Sequence, residues 1–307
     1  MSCNDLHIAC ASDNRFVMSL AVMVRSMLNT ISPGKKVHLY VVSLDISDEN
    51  KEKLKRSWVF PDLEINWLSP DITKIENLRV SGHVNIVTYF RVILPDILPK
   101  RLEKVVYLDS DMVIQKDISL LWNQPFKGNT VLAVQDMTVP VMCASKGLKN
   151  YQMCSPYLSL DVPLITYEEL SIPPDNKYFN AGLLVINLNK WKEENITKKI
   201  IDYIKANNKC IKFWDQDGLN AILYDKWREL DLRWNQIPHI YRYPTWELSP
   251  FGKKEFDEAR NDPWIIHYAA TYKPWDVRCV HPLKGKSYEV LKNTEWRSYY
   301  FNGFVGA

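Results

Sequence analysis

A chain of 307 residues with 46% hydrophobic and 24% charged side chains can bury a substantial core, as one large α/β domain or two modest ones, which excludes a disordered protein. The net charge of +3 is slight, so no nucleic-acid partner is expected, and no segment approaches the ~20 apolar residues needed to span a bilayer. Six cysteines lacking any C-x-x-C pair indicate neither a zinc site nor a disulfide framework, and the polar residues 1–7 lack the apolar core of a signal peptide, so a cytoplasmic setting is expected.

Residues 8–11 read as a first strand, Ser12-Asp13-Asn14-Arg15 as a polar turn and 16–28 as a largely apolar helix, an α/β opening. A second strand is expected over 37–44, then Ser47 as the N-cap of a helix over 48–58 with an acidic first turn, and a third strand over 63–68. Residues 84–94 look helical and stop before Pro95. Strands follow at 104–108 and 131–134, the second ending near Asp136. The proline-rich interval 137–177 reads as an irregular excursion bordering a site. A strand over 183–188, helices over 195–206 and 216–224, a short strand over 265–268 and a helix near 286–292 complete the pattern. Asn195-Ile196-Thr197 matches a glycosylation acceptor but is read as a helix N-cap.

The strand over 104–108 runs into Asp109-Ser110-Asp111. Side chains alternate along extended backbone, so Asp109 and Asp111 project to the same side and can share one cation. A divalent ion carrying phosphate oxygens would relieve their repulsion, whereas the plainer reading makes them strand-end turn residues. Neither glycine-rich phosphate signature is present: there is no G-x-G-x-x-G, and Gly285-Lys286-Ser287 lacks the earlier glycine of a P-loop. Any phosphate must then be held through a metal and basic side chains. Phe179-Asn180-Ala181-Gly182 would let a ligand approach the backbone, with Asn180 bonding a hydroxyl-rich substrate, or form an ordinary turn into a strand. In Asp215-Gln216-Asp217, N-capping accounts for one aspartate and leaves the other groups free to address a sugar. His267 closes an apolar strand six residues before Lys273; a lone histidine there is more often a structural hydrogen-bonding residue.

Together these pieces resemble glycosyltransferase family 8, the retaining nucleotide-sugar transferases that include bacterial lipooligosaccharide galactosyltransferases and glycogenin. The matching blocks are Ala11-Ser12-Asp13, Thr88-Tyr89-Phe90-Arg91, Tyr107 to Asp111, Phe179 to Leu188, Asp215-Gln216-Asp217 and His267-Tyr268 with Lys273-Pro274-Trp275, all in the family's order between about residues 7 and 276. The resemblance implies a GT-A type nucleotide-sugar-binding fold over residues 1–276, with a central mixed, mostly parallel sheet flanked by helices, and a basic aromatic tail over 277–307.

By the same resemblance, Asp109, Asp111 and His267 match metal ligands for Mn2+, with Mg2+ as a substitute, and Ser110 lies within that donor-binding run. Ala11, Asp13 and Arg15 fall where the family contacts uracil and ribose, although Arg15 stands in place of a small polar residue. Arg91 falls beside the donor sugar and Lys273 beside the diphosphate, while Ala270 replaces a glycine there. Asn180, Ala181, Asp215 and Gln216 surround the transferred sugar, and His83 and Asp136 take acceptor-side positions. The implied reaction moves galactose or glucose from a UDP-sugar to a glycan or lipid-linked glycan acceptor in bacterial surface-glycan or lipopolysaccharide assembly. In it Lys273 stabilises the leaving group, and Gln216 and Asp215 stand near the reacting carbon. The other readings are a nucleotide-sugar-binding protein without transfer activity, a phosphohydrolase acting on nucleotide sugars, and a self-glucosylating enzyme like glycogenin. The tail residues Trp296, Arg297, Tyr299, Tyr300 and Phe301 either sit peripherally at the inner face of the plasma membrane or pack on the domain.

Overall fold

The computed structural model describes residues 5–80 and 85–302, with side chains to Tyr299. His83 lies outside the described residues. In chain order the strands are β1 (Asp5–Ala11), β2 (Lys36–Val42), β3 (Leu63–Leu68), β4 (Lys104–Asp109), β5 (Met112–Ile114), β6 (Val131–Gln135), β7 (Phe179–Asn187), β8 (Trp227–Glu229) and β9 (Ile265–His267). Seven of them form one sheet in the order β3-β2-β1-β4-β7-β6-β8, and β5 pairs with β9 in a separate ribbon. β3, β2, β1 and β4 run parallel, β7 is antiparallel to both β4 and β6, and β8 is parallel to β6. This is the mixed, mostly parallel sheet expected from the sequence.

The continuous apolar runs of β4 and β7 follow from burial on both faces. Successive side chains of β4 point in opposite directions: Val106 and Leu108 join Leu20, Met23 and Met27 of the helix Val17–Thr30 in one core. Val105 and Tyr107 join Phe90 and Ile93 of the helix Phe90–Ile97, and Ile200 and Ile204 of the helix Ile196–Ala206, in the other. Ser47 caps the helix Asp48–Ser57 by accepting from the Asn50 N–H, as its sequence suggests.

Four local expectations are corrected. Pro95 lies inside the helix Phe90–Ile97 rather than ending it, because the buried Ile93, Leu94 and Pro95 hold the last turn against the sheet and Leu98 N–H closes it on Leu94 C=O at 3.1 Å. Residue 84 lies outside the described residues, and the helical segment expected there opens, from Asn85 on, as a single tight turn, Ile86–Tyr89, rather than as α-helix. β7 starts at Phe179, so Phe179 to Gly182 is strand: it pairs with β6 through Asn180 opposite Val134, after a register shift in β6. Asn195 does precede a helix, yet its side chain makes no capping bond. Its φ of +54° and its N–H bond to Lys192 C=O make it the left-handed terminator of the preceding helix, Leu188–Glu193, a position that suits asparagine.

Beyond residue 277, the helix Lys284–Leu291 and Trp296 pack into the core that holds the helix Val17–Thr30. Trp296 is only 8% exposed, Glu295 N–H donates to Ser57 Oγ at 2.9 Å and Glu295 pairs with Arg56. Of the two readings for the tail, packing therefore describes Trp296, whereas Tyr299 is exposed. Among the described residues no helix is long and apolar enough to cross a membrane, and Cys10, Cys143, Cys154, Cys210 and Cys279 are free thiols.

Candidate active site and metal centre

β1 and β4 end side by side, with Ala11 in register with Asp109, so the loops that follow both strands open on the same crevice. The backbone then turns through Ser110 into β5, where Met112 pairs with His267 of β9. Tyr268 N–H donates to Asp111 C=O at 2.9 Å, which clamps the histidine's strand to the second aspartate. Asp109, Asp111 and His267 consequently converge, with one ligand atom from each lying within 4.8 Å of the others. His267 Nε2 lies 3.2 Å from Asp111 Oδ1 and 3.8 Å from Asp109 Oδ2, and its Nδ1 is 2.8 Å from Asn235 Oδ1. The ring fits because position 182 is glycine: a Cβ there would stand 2.4 Å from His267 Cε1.

Charges of both signs are packed around this triad. Arg91 is buried between Asp109 and Asp215, with Nη2 3.1 Å from Asp109 Oδ1 and Nε 3.0 Å from Asp215 Oδ2. It also donates to Ala181 C=O at 2.6 Å. Burial opposes its charge, but the two carboxylates outweigh that and hold the guanidinium's pKa above its ordinary value. Tyr107 OH donates to Asp109 at 2.9 Å, and Thr88 donates to Asp215 at 2.6 Å. Lys273 Nζ lies 2.7 Å from Asp111 and donates to Tyr268 C=O. Burial disfavours ionised Asp111, yet the neighbouring charge of Lys273 counters it and the carboxyl stays well below the usual carboxylate range. For Asp215 burial wins over Arg91 and Thr88, and its pKa is raised.

These groups line a cavity of about 310 Å³. Ala11, Asp13, Arg91, Asp109, Ser110 and Asp111 are on its wall, as are Asn180, Ala181, Asp215, Gln216, His267, Lys273 and the expected acceptor-side residue Asp136. Two predicted donor-site residues are not among them. Arg15 turns outward, with its side chain 69% exposed, and its guanidinium lies 2.8 Å from Asp13 Oδ2. Its length explains this, since a long charged side chain reaches solvent where a short polar one would stay in the crevice. Ala270 borders a neighbouring cavity instead. With Asp13 matched by Arg15, the wall carries Asp109, Asp111, Asp136 and Asp215 against Arg91 and Lys273, four carboxyl groups to two cations. Asp109, Asp111 and His267 form a donor set of the kind that could hold a divalent cation.

The helix Trp214–Leu223 delivers Asp215 and Gln216. No side chain caps this helix at Phe213; Asp217 instead reaches back to the segment that enters it, its Oδ2 accepting from Lys212 N–H at 2.6 Å and Phe213 N–H at 3.0 Å while Oδ1 accepts from Tyr178 OH at 2.6 Å. That leaves Asp215 and Gln216 free to face the cavity. Gln216 Oε1 accepts from Ala181 N–H at 2.9 Å and its Nε2 donates to Asp136 Oδ2 at 3.1 Å, so both ends of the amide are fixed.

Asn85, Thr88, Tyr107 and Asn235 support the site without having been singled out for it. Asn85 donates to Asp13 at 2.7 Å. Tyr107 carried a readable signal, since it is two residues before Asp109 and shares its side of the strand. Thr88 lies three residues before Arg91, within the same block. Asn85 and Asn235 are single asparagines with no local pattern.

Glycosyl transferase family 8 is the family whose model matches residues 7–279, and the chain belongs to it. General stress protein A of Bacillus subtilis is 29% identical over 296 residues, covering 95% of each chain. The lipopolysaccharide 1,3-galactosyltransferase of Salmonella typhimurium is 26% identical, covering 94% of this chain and 79% of that one. Among solved structures, the galactosyltransferase LgtC in complex with donor and acceptor sugar analogues superposes with a TM-score of 0.76 at 21% identity, covering 96% of this chain and 99% of that one. The fold is thus the GT-A type, and the chain is a family 8 glycosyltransferase.

Two substitutions test this geometry. Gly182→Ala should lower stability by about 1–3 kcal/mol in urea unfolding, because the imidazole of His267 has to move; an unchanged midpoint and slope would mean that the ring does not rest on residue 182. Burial raises the Asp217 carboxyl from 3.8 to about 6, despite the hydrogen bonds it accepts. A folded pKa above the unfolded one means that the protonated form favours the fold, so this contribution is complete below about pH 4 and lost as pH rises through about 6. Asp217→Asn removes it, so the difference in Tm between wild type and variant should drift across that window. A constant difference would contradict the assignment.

Proposed function

We propose that this chain moves a hexose, galactose or glucose, from a UDP-sugar to a glycan acceptor with retention of anomeric configuration, and that Mn2+ held by Asp109, Asp111 and His267 serves the reaction. The observation that carries the reading is the convergence of these three side chains from two distant parts of the chain. Two carboxylates and an imidazole make an oxygen and nitrogen donor set suited to manganese, with magnesium as a plainer substitute. When bound, the ion supplies positive charge to the diphosphate of the departing UDP.

The protein's own groups supply the rest. Lys273, beside Asp111 on the cavity wall, adds a second positive charge where negative charge accumulates on the leaving group. Arg91 does not reach out to the donor alone: it locks Asp109 and Asp215 into one arrangement, so that the metal side and the sugar side of the cavity keep a fixed separation. Gln216 acts as an orienting group, because a neutral amide held at both ends is a poor nucleophile. Attack from the leaving-group side, with a diphosphate oxygen taking the acceptor's proton, accords with that role.

The acceptor has a natural place in a second cavity of about 590 Å³ that shares Thr138, Ile237 and Ala269 with the first. Its wall includes Tyr241 and the exposed Tyr272, aromatic side chains of the kind that pack against sugar rings. Bacterial surface-glycan or lipopolysaccharide assembly on the cytoplasmic side of the membrane is the setting we favour; the name of the Salmonella relative and the free thiols both support it.

The test is UDP release from a panel of UDP-sugars with Mn2+, with and without candidate glycans. Release that rises with an acceptor is the expected result, and acceptor-independent hydrolysis alone would argue against transfer. Asp111→Asn should cut manganese-dependent turnover by about 100-fold or more while leaving the circular-dichroism spectrum unchanged. Full activity in that variant would remove Asp111 from the ligand set.

A further inference from the structure

We propose that Asn235 is a positioning residue that fixes which ring nitrogen of His267 carries the hydrogen, and thereby leaves Nε2 free to take a metal. The inference rests on the metal reading above and goes beyond it, since Asn235 touches neither the cavity nor the carboxylates.

A buried chain of amides gives each of its hydrogen bonds a single direction. It starts at Asp136, whose carboxylate only accepts. Asp136 Oδ2 receives a hydrogen from Asn180 Nδ2 at 2.9 Å. The other end of that amide, Asn180 Oδ1, therefore faces away, and there it accepts from Gly182 N–H at 2.9 Å and from Asn235 Nδ2 at 2.8 Å. The backbone N–H of Gly182 can only donate, so the orientation of Asn180 is fixed from both sides. Asn235 must then turn its oxygen to the remaining neighbour, His267 Nδ1, at 2.8 Å. An oxygen without a hydrogen demands a donor, so Nδ1 carries the ring's hydrogen. A neutral imidazole has one such hydrogen, and Nε2 is left with a lone pair aimed at Asp109 and Asp111.

Burial makes this relay directional. Asn235 is 1% exposed and Asn180 9% exposed, so neither amide can turn over without leaving polar groups unpaired away from water. A lone pair held against two carboxylates is poorly placed until a cation arrives between them. The same chain continues from Asp136 to Gln216, so the histidine and the sugar-facing amide share one anchor.

The experiment compares Mn2+ binding in wild type, Asn235→Ala and Asn235→Asp by electron paramagnetic resonance titration, with nitrogen modulation of the Mn2+ signal reporting histidine ligation. Asn235→Ala is expected to bind Mn2+ about 10- to 100-fold more weakly and to lose most of the nitrogen modulation. Asn235→Asp keeps an acceptor for Nδ1–H, so it should recover most of the affinity and the modulation, although its Tm should fall because the donor to Asn180 is gone. A nitrogen-15 spectrum of the wild-type histidines, recorded with the His267 ring neutral and no metal, should show the hydrogen on Nδ1. Hydrogen on Nε2, or an Asn235→Ala protein with wild-type affinity and modulation, would overturn the proposal. Wild-type protein that binds no Mn2+ would instead sink the metal reading itself.

Discussion

The pairing of β5 with β9 is the constraint on which the site depends. Asp109 and Asp111 follow directly from β4, but His267 lies more than 150 residues later and reaches them only because Met112 and His267 are cross-strand partners. The ribbon is short and fully buried, so a slip of one residue would turn the imidazole to the opposite face. Tyr268 N–H on Asp111 C=O and His267 N–H on Gln236 C=O hold the register. Nothing about packing alone rewards placing an imidazole nitrogen and two carboxylates within 4.8 Å of one another. The proposed cation would account for it.

Around that centre the fold spends polar contacts where an ordinary core would use apolar ones. Arg91, on a helix covering one face of the sheet, joins Asp109 from β4 to Asp215 from the helix Trp214–Leu223. Asp136, after β6, joins Asn180 on β7 to Gln216 on the same helix. Each link ties one wall of the crevice to the helix Trp214–Leu223. The crevice itself opens at the carboxyl ends of β1 and β4, the place where open α/β sheets bind ligands, and antiparallel β7 contributes its first residues, Asn180 to Gly182, to the same wall.

Much of this was readable beforehand, and the limits have physical causes. β4 and β7 announce themselves as unbroken apolar runs because both faces are covered, and alternation alone places Asp109 and Asp111 on one side. That these two meet His267 came from resemblance to a family, since strand pairing across such a separation leaves no local mark on either segment. Phe179 to Gly182 could be read as a ligand-contacting segment or as a turn, because its asparagine and glycine favour turns; only the ladder with β6 makes it strand. Pro95 looked like a stop because its own chemistry says so, and tertiary burial overrode it. Asn195 resembled a cap for the helix after it and proved to end the helix before it, a distinction carried by a left-handed φ. Arg15 lies at an expected position yet points outward, because position and side-chain direction are different facts. Asn235 is the furthest from legibility, being one asparagine whose role exists only through the partners on either side of it.

The most direct measurement is a crystal structure of the protein with Mn2+ and UDP, with diffraction data collected on both sides of the manganese absorption edge. One anomalous peak is expected, bonded to carboxylate oxygens of Asp109 and Asp111 and to Nε2 of His267, with diphosphate oxygens completing its shell. A peak elsewhere, or UDP bound in this cavity with no metal beside those three residues, would contradict it.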